Sequence, residues 1–134
     1  MNLRLAPGLL EEIFEHAKKC YPQEGCGLVV GSRSSGLRFI PVENVKASSS
    51  EYEMDPAELT GVWRNLRNTG DELTAIYHSH PFGPAEPSKR DIERASYPEA
   101  AHLIVSLAEP ERPRAAAFCI AGGEALEVEV HVIV

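Results

Sequence analysis

Apolar residues recur along this chain in two rhythms, and the switches between them divide it into elements. Leu9, Leu10, Ile13, Phe14, Ala17 and Cys20 fall at helical spacing, with Glu11, Glu12, Glu15, Lys18 and Lys19 between them. The spacing predicts a first helix with one buried stripe, acids early and lysines late along its dipole, stopped by Pro22. That stripe could serve a homodimer, although filling the domain core is its simpler use. GCGLVVG, from Gly25 to Gly31, predicts a strand entered through flexible or closely packed backbone. SRSSG follows as a turn. Leu37 to Val45 then gives an antiparallel second strand, and the polar connection after it holds a short edge strand around Tyr52 to Met54. Asp55 caps and Pro56 opens a second helix, whose apolar face is Leu59, Val62, Trp63 and Leu66 and which ends at Asn68 to Gly70.

Leu73 to Tyr77 is a short strand running directly into His78-Ser79-His80, followed by the Pro/Gly-rich loop PFGPAEP. Ser88 is a good cap for a third helix of two turns reaching Ser96, with Asp91 at its third position and Tyr97 and Pro98 closing it. His102 to Leu107, Arg114 to Ile120 and Leu126 to Val134 supply three more strands between EPERP and AGGE turns. AHLIVSL is nearly all apolar and belongs inside the sheet. The last strand alternates Leu126, Val128, Val130 and Val132 against Glu127, Glu129 and His131, so its apolar face is expected in the core.

The 134 residues, 43% of them hydrophobic, suit a single domain spanning 1–134. No run approaches a membrane span, and the opening MNLRLAPG lacks the features of a secretion signal, so the expected location is cytoplasmic with no membrane partner. A formal charge of −7 with scattered basic residues argues for no nucleic acid partner. Cys20, Cys26 and Cys119 make no paired framework and lack common metal spacing, so they are read as ordinary thiols of a reducing compartment.

Candidate chemistry gathers at one place. His78 and His80 lie two apart on an extended chain and point to the same side, where both imidazoles can meet one ion. Asp91, just beyond the loop, is the best third ligand of a two-histidine, one-carboxylate set with a water in the fourth position. The pattern alone leaves iron or manganese open; zinc suits a hydrolase because it polarises a carbonyl and lowers the pKa of bound water without redox chemistry. Glu24, beside a glycine-rich strand, is a candidate proton carrier, with a surface turn residue as the alternative reading. Phe82 could touch substrate, whereas Tyr77 and Trp63 read as packing.

Glu24, His78-Ser79-His80, the seven residues Pro81 to Pro87, Ser88 and Asp91 together fill every position of a known pattern. By it the chain resembles the JAB1/MPN/Mov34 metalloproteases, or JAMM domains, across almost its whole length. The resemblance implies an α/β fold of JAB1/MPN (cytidine deaminase-like) architecture, with a mixed, mostly antiparallel β-sheet flanked by helices. It further implies that His78, His80 and Asp91 bind Zn2+, that Glu24 is the general acid/base, and that Ser88 helps stabilise the oxyanion. The implied partner is a ubiquitin-like or sulfur-carrier protein, cut after its C-terminal Gly-Gly. Two rivals are a small-molecule amidohydrolase and a zinc-stabilised noncatalytic binding module. A deaminase needs His-x-Glu and a downstream cysteine pair, both missing here, and Glu24 separates catalyst from metal-stabilised module.

Overall fold

The computed structural model describes residues 2–132. In chain order the elements are β1 (Asn2–Leu5), α1 (Pro7–Cys20), β2 (Cys26–Ser32), β3 (Gly36–Val42), α2 (Pro56–Thr69), β4 (Glu72–His80), α3 (Lys89–Arg94), β5 (Ala101–Ser106), β6 (Arg114–Ala121) and β7 (Glu124–Val132). The strands form one sheet in the order β1-β7-β6-β5-β4-β2-β3. The β1–β7 and β4–β5 pairs are parallel and the remaining pairs antiparallel, so the sheet is mixed and mostly antiparallel, as expected.

Helices cover both faces. The apolar stripe of α1, with Leu9, Ile13 and Ala17, packs on Leu5, Val29, Phe39, Tyr77, Leu103 and Val105. On the opposite face Leu59, Val62, Trp63 and Leu66 of α2 pack against Leu28, Val30 and Ile76. The period-two alternation of β4 therefore sends Ala75, Tyr77 and Ser79 toward α1, and Ile76, His78 and His80 toward α2 and α3. The histidines of the HSH tripeptide share one side because the strand continues through them.

Local chemistry explains the helix ends. Pro7 opens α1, whose last turn holds Lys18 and Lys19, but whose first turn has no acid, so the expected dipole match holds at the C-terminal end only. In α2 the Asp55 side chain accepts the Ala57 amide at 3.0 Å, and Gly70 closes the helix at φ 76°.

Several boundaries differ from the sequence expectation. β3 ends at Val42 rather than Val45, because the chain turns and Asn44 makes an isolated bridge to Met54; that bridge is all that forms of the Tyr52 to Met54 edge strand. α3 stops at Arg94 instead of Ser96. β1, which hydropathy did not predict, buries Leu3 and Leu5 against the core. On β7, Val128 and Val130 pack on the α1-side core, but Leu126 is 68% exposed and Val132 44% exposed. Ile133 and Val134, the last two residues of that expected strand, lie outside the described residues.

Candidate metal centre

β4 carries two imidazoles to the α2/α3 side of the sheet, and the first turn of α3 brings a carboxylate down to meet them. His78 Nε2 lies 3.0 Å from His80 Nε2, and Asp91 Oδ2 lies 3.2 Å from the first and 3.1 Å from the second. Ligand atoms around a tetrahedral zinc with bonds of ~2.0–2.1 Å stand roughly 3.3 Å apart, so the three atoms are spaced as such an ion requires.

Proton bookkeeping is consistent with such an ion. His80 Nδ1 is 2.8 Å from the Pro84 carbonyl, which can only accept, so Nδ1 carries a proton and Nε2 is the nitrogen left to face Asp91. A proton on Nε2 can bridge the ring to the Asp91 carboxylate, and a bound cation can take that proton's place. The two-imidazole, one-carboxylate set is consistent with zinc. Among the described residues no fourth His, Cys, Asp or Glu joins this group, which leaves coordination for water or substrate.

The surroundings prepare each ligand. His78 is buried, and burial pulls its pKa down more strongly than Asp91 raises it, which favours the neutral ring that binds metal. Tyr52 stacks on that ring with centroids 4.6 Å apart. Burial also pulls on His80, but the Asp91 and Pro84 hydrogen bonds and the Asp91 charge outweigh it and raise its pKa. Burial pushes Asp91 up, yet its bonds to His78 and His80 hold it far below the usual carboxylate range. A capping box orients Asp91: Ser88 Oγ accepts the Asp91 amide at 3.1 Å, and Asp91 Oδ2 accepts the Ser88 amide at 2.9 Å.

Glu24, just before β2, is 5% exposed, and its Oε1 is buried without a partner among the described residues. Burial, opposed by the nearby His80 charge, pushes its pKa up to about 7. Glu24, His80, Pro81, Phe82, Gly83 and Ser88 line one open groove. A separate, largely apolar cavity of about 290 Å³ adjoins His78 and Asp91, walled by Tyr52, Met54, Leu59, Trp63 and Tyr97 together with Glu51, Arg90 and Arg94.

The structure thus brings His78, His80 and Asp91 together and sets Glu24 and Ser88 along the same groove. Phe82, 62% exposed, stands on the groove wall against Tyr21. Trp63 lines the apolar cavity, and Tyr77 belongs to the α1-side core. The three cysteines are free thiols outside the metal group. Sequence reasoning missed Tyr52 and Asn44. Asn44 Nδ2 donates to the Glu24 carbonyl at 3.0 Å and to the Glu51 carbonyl at 3.1 Å, tying the loop before β2 to the chain before α2. A polar residue after a strand carries no signal of such contacts.

The chain matches the family described as prokaryotic homologs of the JAB domain over residues 6–119, and it belongs to that family. It is 32% identical over 127 residues to the CysO-cysteine peptidase of Mycobacterium tuberculosis, covering 93% of this chain and 87% of that one. It is 46% identical over 91 residues to a probable TtuB-protein conjugate cleaving protease of Thermus thermophilus, covering 67% of this chain and 61% of the relative. A solution structure of a Desulfitobacterium hafniense protein superposes with a TM-score of 0.86 at 33% identity, covering 99% of this chain and 93% of that one. A JAB1/MPN domain protein of Archaeoglobus fulgidus superposes at 0.57 with 26% identity, covering 98% and 99%. The fold is the JAB1/MPN-type α/β fold.

Proposed function

We propose that this chain, as one domain over 1–134, is a zinc metallopeptidase of the JAMM type. Its reaction is hydrolysis of the amide bond that follows the C-terminal Gly-Gly of a ubiquitin-like or sulfur-carrier protein. The observation that carries the reading is Glu24: a buried carboxylate, unpaired at one oxygen, on the groove lined by His80 of the His-His-Asp group. A metal that only stabilised a fold would need no such proton carrier beside it.

His78, His80 and Asp91 would hold the zinc, which when bound would supply Lewis acidity toward a carbonyl and lower the pKa of water toward ~7. Glu24 takes the proton of the attacking water and returns it to the departing amine, the two transfers that a buried carboxyl beside the ligands can make in turn. Ser88 Oγ uses a lone pair to cap α3, which leaves its hydroxyl hydrogen to donate to the developing oxyanion. Because the amine must meet Glu24, the leaving side of the substrate runs along the open groove.

The substrate class follows the relatives, whose names specify a CysO-cysteine linkage and TtuB-protein conjugates. The test is incubation of the zinc-loaded chain with sulfur-carrier proteins extended beyond Gly-Gly by an amide-linked cysteine or peptide. Intact-mass analysis is expected to find a cut after the second glycine, abolished by a chelator. Uncut substrate across a panel of such carriers overturns the assignment.

A further inference from the structure

Between the two metal-ligating histidines lies a residue that the mechanism above does not use. Ser79 is fully buried, and its side chain points to the α1 side of the sheet, away from His78 and His80. Its Oγ accepts the Gly25 amide at 2.7 Å, while its own amide donates to the Gly25 carbonyl at 2.9 Å. The β2–β4 register reaches Cys26 opposite His78, so these two bonds form the next rung, with a hydroxyl standing where a strand carbonyl would accept.

The Gly25 nitrogen belongs to the peptide unit that carries the Glu24 carbonyl. Fixing it fixes the Cα from which the Glu24 carboxylate projects. The other hydrogen bonds on Glu24 come from elsewhere: it donates its amide to Ser48 O at 2.8 Å, and Asn44 Nδ2 reaches its carbonyl at 3.0 Å. Both anchors sit in the connection before α2, and neither refers Glu24 to the strand that holds the histidines. Ser79 does.

The rung is pressed tight from the α1 side. A Cβ on Gly25 would stand 2.8 Å from Tyr77 Oη and 3.2 Å from both Cys20 Sγ and His16 Nδ1. His16 Nδ1 and Tyr77 Oη are themselves 3.2 Å apart, within hydrogen-bonding distance. The backbone at Gly25 is thus wedged between a polar cluster behind it and Ser79 beside it, with little freedom to slide along β4.

We propose that Ser79 is a positioning residue that holds the Glu24 peptide in register with the metal ligands of β4. The hydroxyl is the operative group: it couples the proton carrier to the ligand strand without touching substrate or ion. The kinetic consequence rests on the hydrolytic reading above, whereas the clamp on Gly25 does not, and the two are measured separately. Displacement of a reacting group by about 1 Å can lower rates roughly 100-fold.

The test compares Ser79→Ala and Ser79→Thr in the full zinc-loaded chain. For Ser79→Ala the expected result is wild-type circular dichroism and zinc content, Gly25 amide exchange accelerated roughly 10-fold or more, and kcat lowered roughly 10- to 100-fold with KM within about twofold. Ser79→Thr, which keeps the hydroxyl, restores both exchange protection and kcat. If Ala does not fold, Ser79→Cys takes its place, since sulfur fills the volume and accepts weakly. Unchanged Gly25 exchange in the folded variant overturns the proposal, as does zinc lost in parallel with activity, or a folded, zinc-loaded Thr variant as impaired as Ala. Should the wild type cleave no carrier, the hydrolytic reading fails, and Gly25 exchange alone decides whether Ser79 is the clamp.

Discussion

A carboxylate kept out of water must be useful in the folded state, because it opposes folding. Glu24 illustrates the tension: burial raises its pKa from an ordinary value near 4.5 to about 7. The folded chain therefore holds this proton more tightly than the unfolded one. Between pH 4.5 and about 7 the unfolded state has already lost the proton, so the Glu24 contribution to stability falls as pH rises through that window and stays low above it. The full effect is at most ~3 kcal/mol, less where water reaches the carboxylate. In chelator-treated protein, urea unfolding at pH 5 and pH 8 should show Glu24→Gln gaining more on the wild type at pH 8 than at pH 5. Equal differences at both values would place the carboxylate in water. With zinc bound, the same variant should keep its metal and lose ~10²- to 10⁴-fold in single-turnover rate, the usual contribution of a general acid/base. His78→Ala, His80→Ala and Asp91→Ala should instead lose zinc by elemental analysis. His78, His80, Ser88 and Asp91 could be singled out in the sequence because ligand chemistry tolerates few residue types at close spacing, whereas Glu24, far upstream, stood level with a surface turn residue until the family resemblance picked it out. Ser79 was legible as a motif letter only, since its partner Gly25 is 54 positions away.

At the scale of elements, α3 shows how a short helix becomes part of a site. Six residues are too few to hold a helix by propensity, and the capping box supplies the hydrogen bonds that the first turn lacks. The same Asp91 oxygen that takes the Ser88 amide faces the two histidines, so capping aims the ligand. Ser88→Ala should cost about 1 kcal/mol of stability through the lost cap. It should also lower kcat by up to ~10²- to 10³-fold through the lost oxyanion donor. Comparable thermal shifts with wild-type kcat would leave Ser88 as a cap alone. The amphipathic helices were readable because their stripes meet the sheet along their length. The face of β7 was misread for a geometric reason: Val128 and Val130 lie over the core under α1, whereas Leu126, paired with Cys119 toward the β6–β7 turn, extends past what the sheet buries. Alternation predicts a shared face, and the extent of the covering layer decides how much of it is dry.

Across the whole molecule, the site draws on residues from position 24 to position 91, joined by strand pairing rather than by local sequence. β1 marks the limit of local reading. Its two inward leucines form no periodic signal, and the strand exists through parallel pairing with β7 at the other end of the chain. Leu5, fully buried, nevertheless packs with the α1-side core, and Leu5→Ala should destabilise by about 2–5 kcal/mol in denaturant titration.

The proposed zinc site would tie this scaffold to its chemistry. An ion that binds only the folded chain adds RT ln(1 + [L]/Kd), or ~2.7 kcal/mol at a free concentration 100 times Kd. Occupancy also brings positive charge near the buried Glu24 carboxylate, whose ionised form burial disfavours. Zinc should therefore raise the unfolding midpoint of the wild type in a concentration-dependent way, and a chelator should lower it. His80→Ala should unfold at a midpoint that neither reagent moves. Glu24→Gln, which keeps all three ligands, should still respond to zinc, but by less than the wild type at pH 8, because one buried negative charge no longer awaits the ion. Calorimetric scans of the three proteins with and without zinc check the ordering; a midpoint that shifts equally in wild type and His80→Ala would put the stabilising ion somewhere other than on β4.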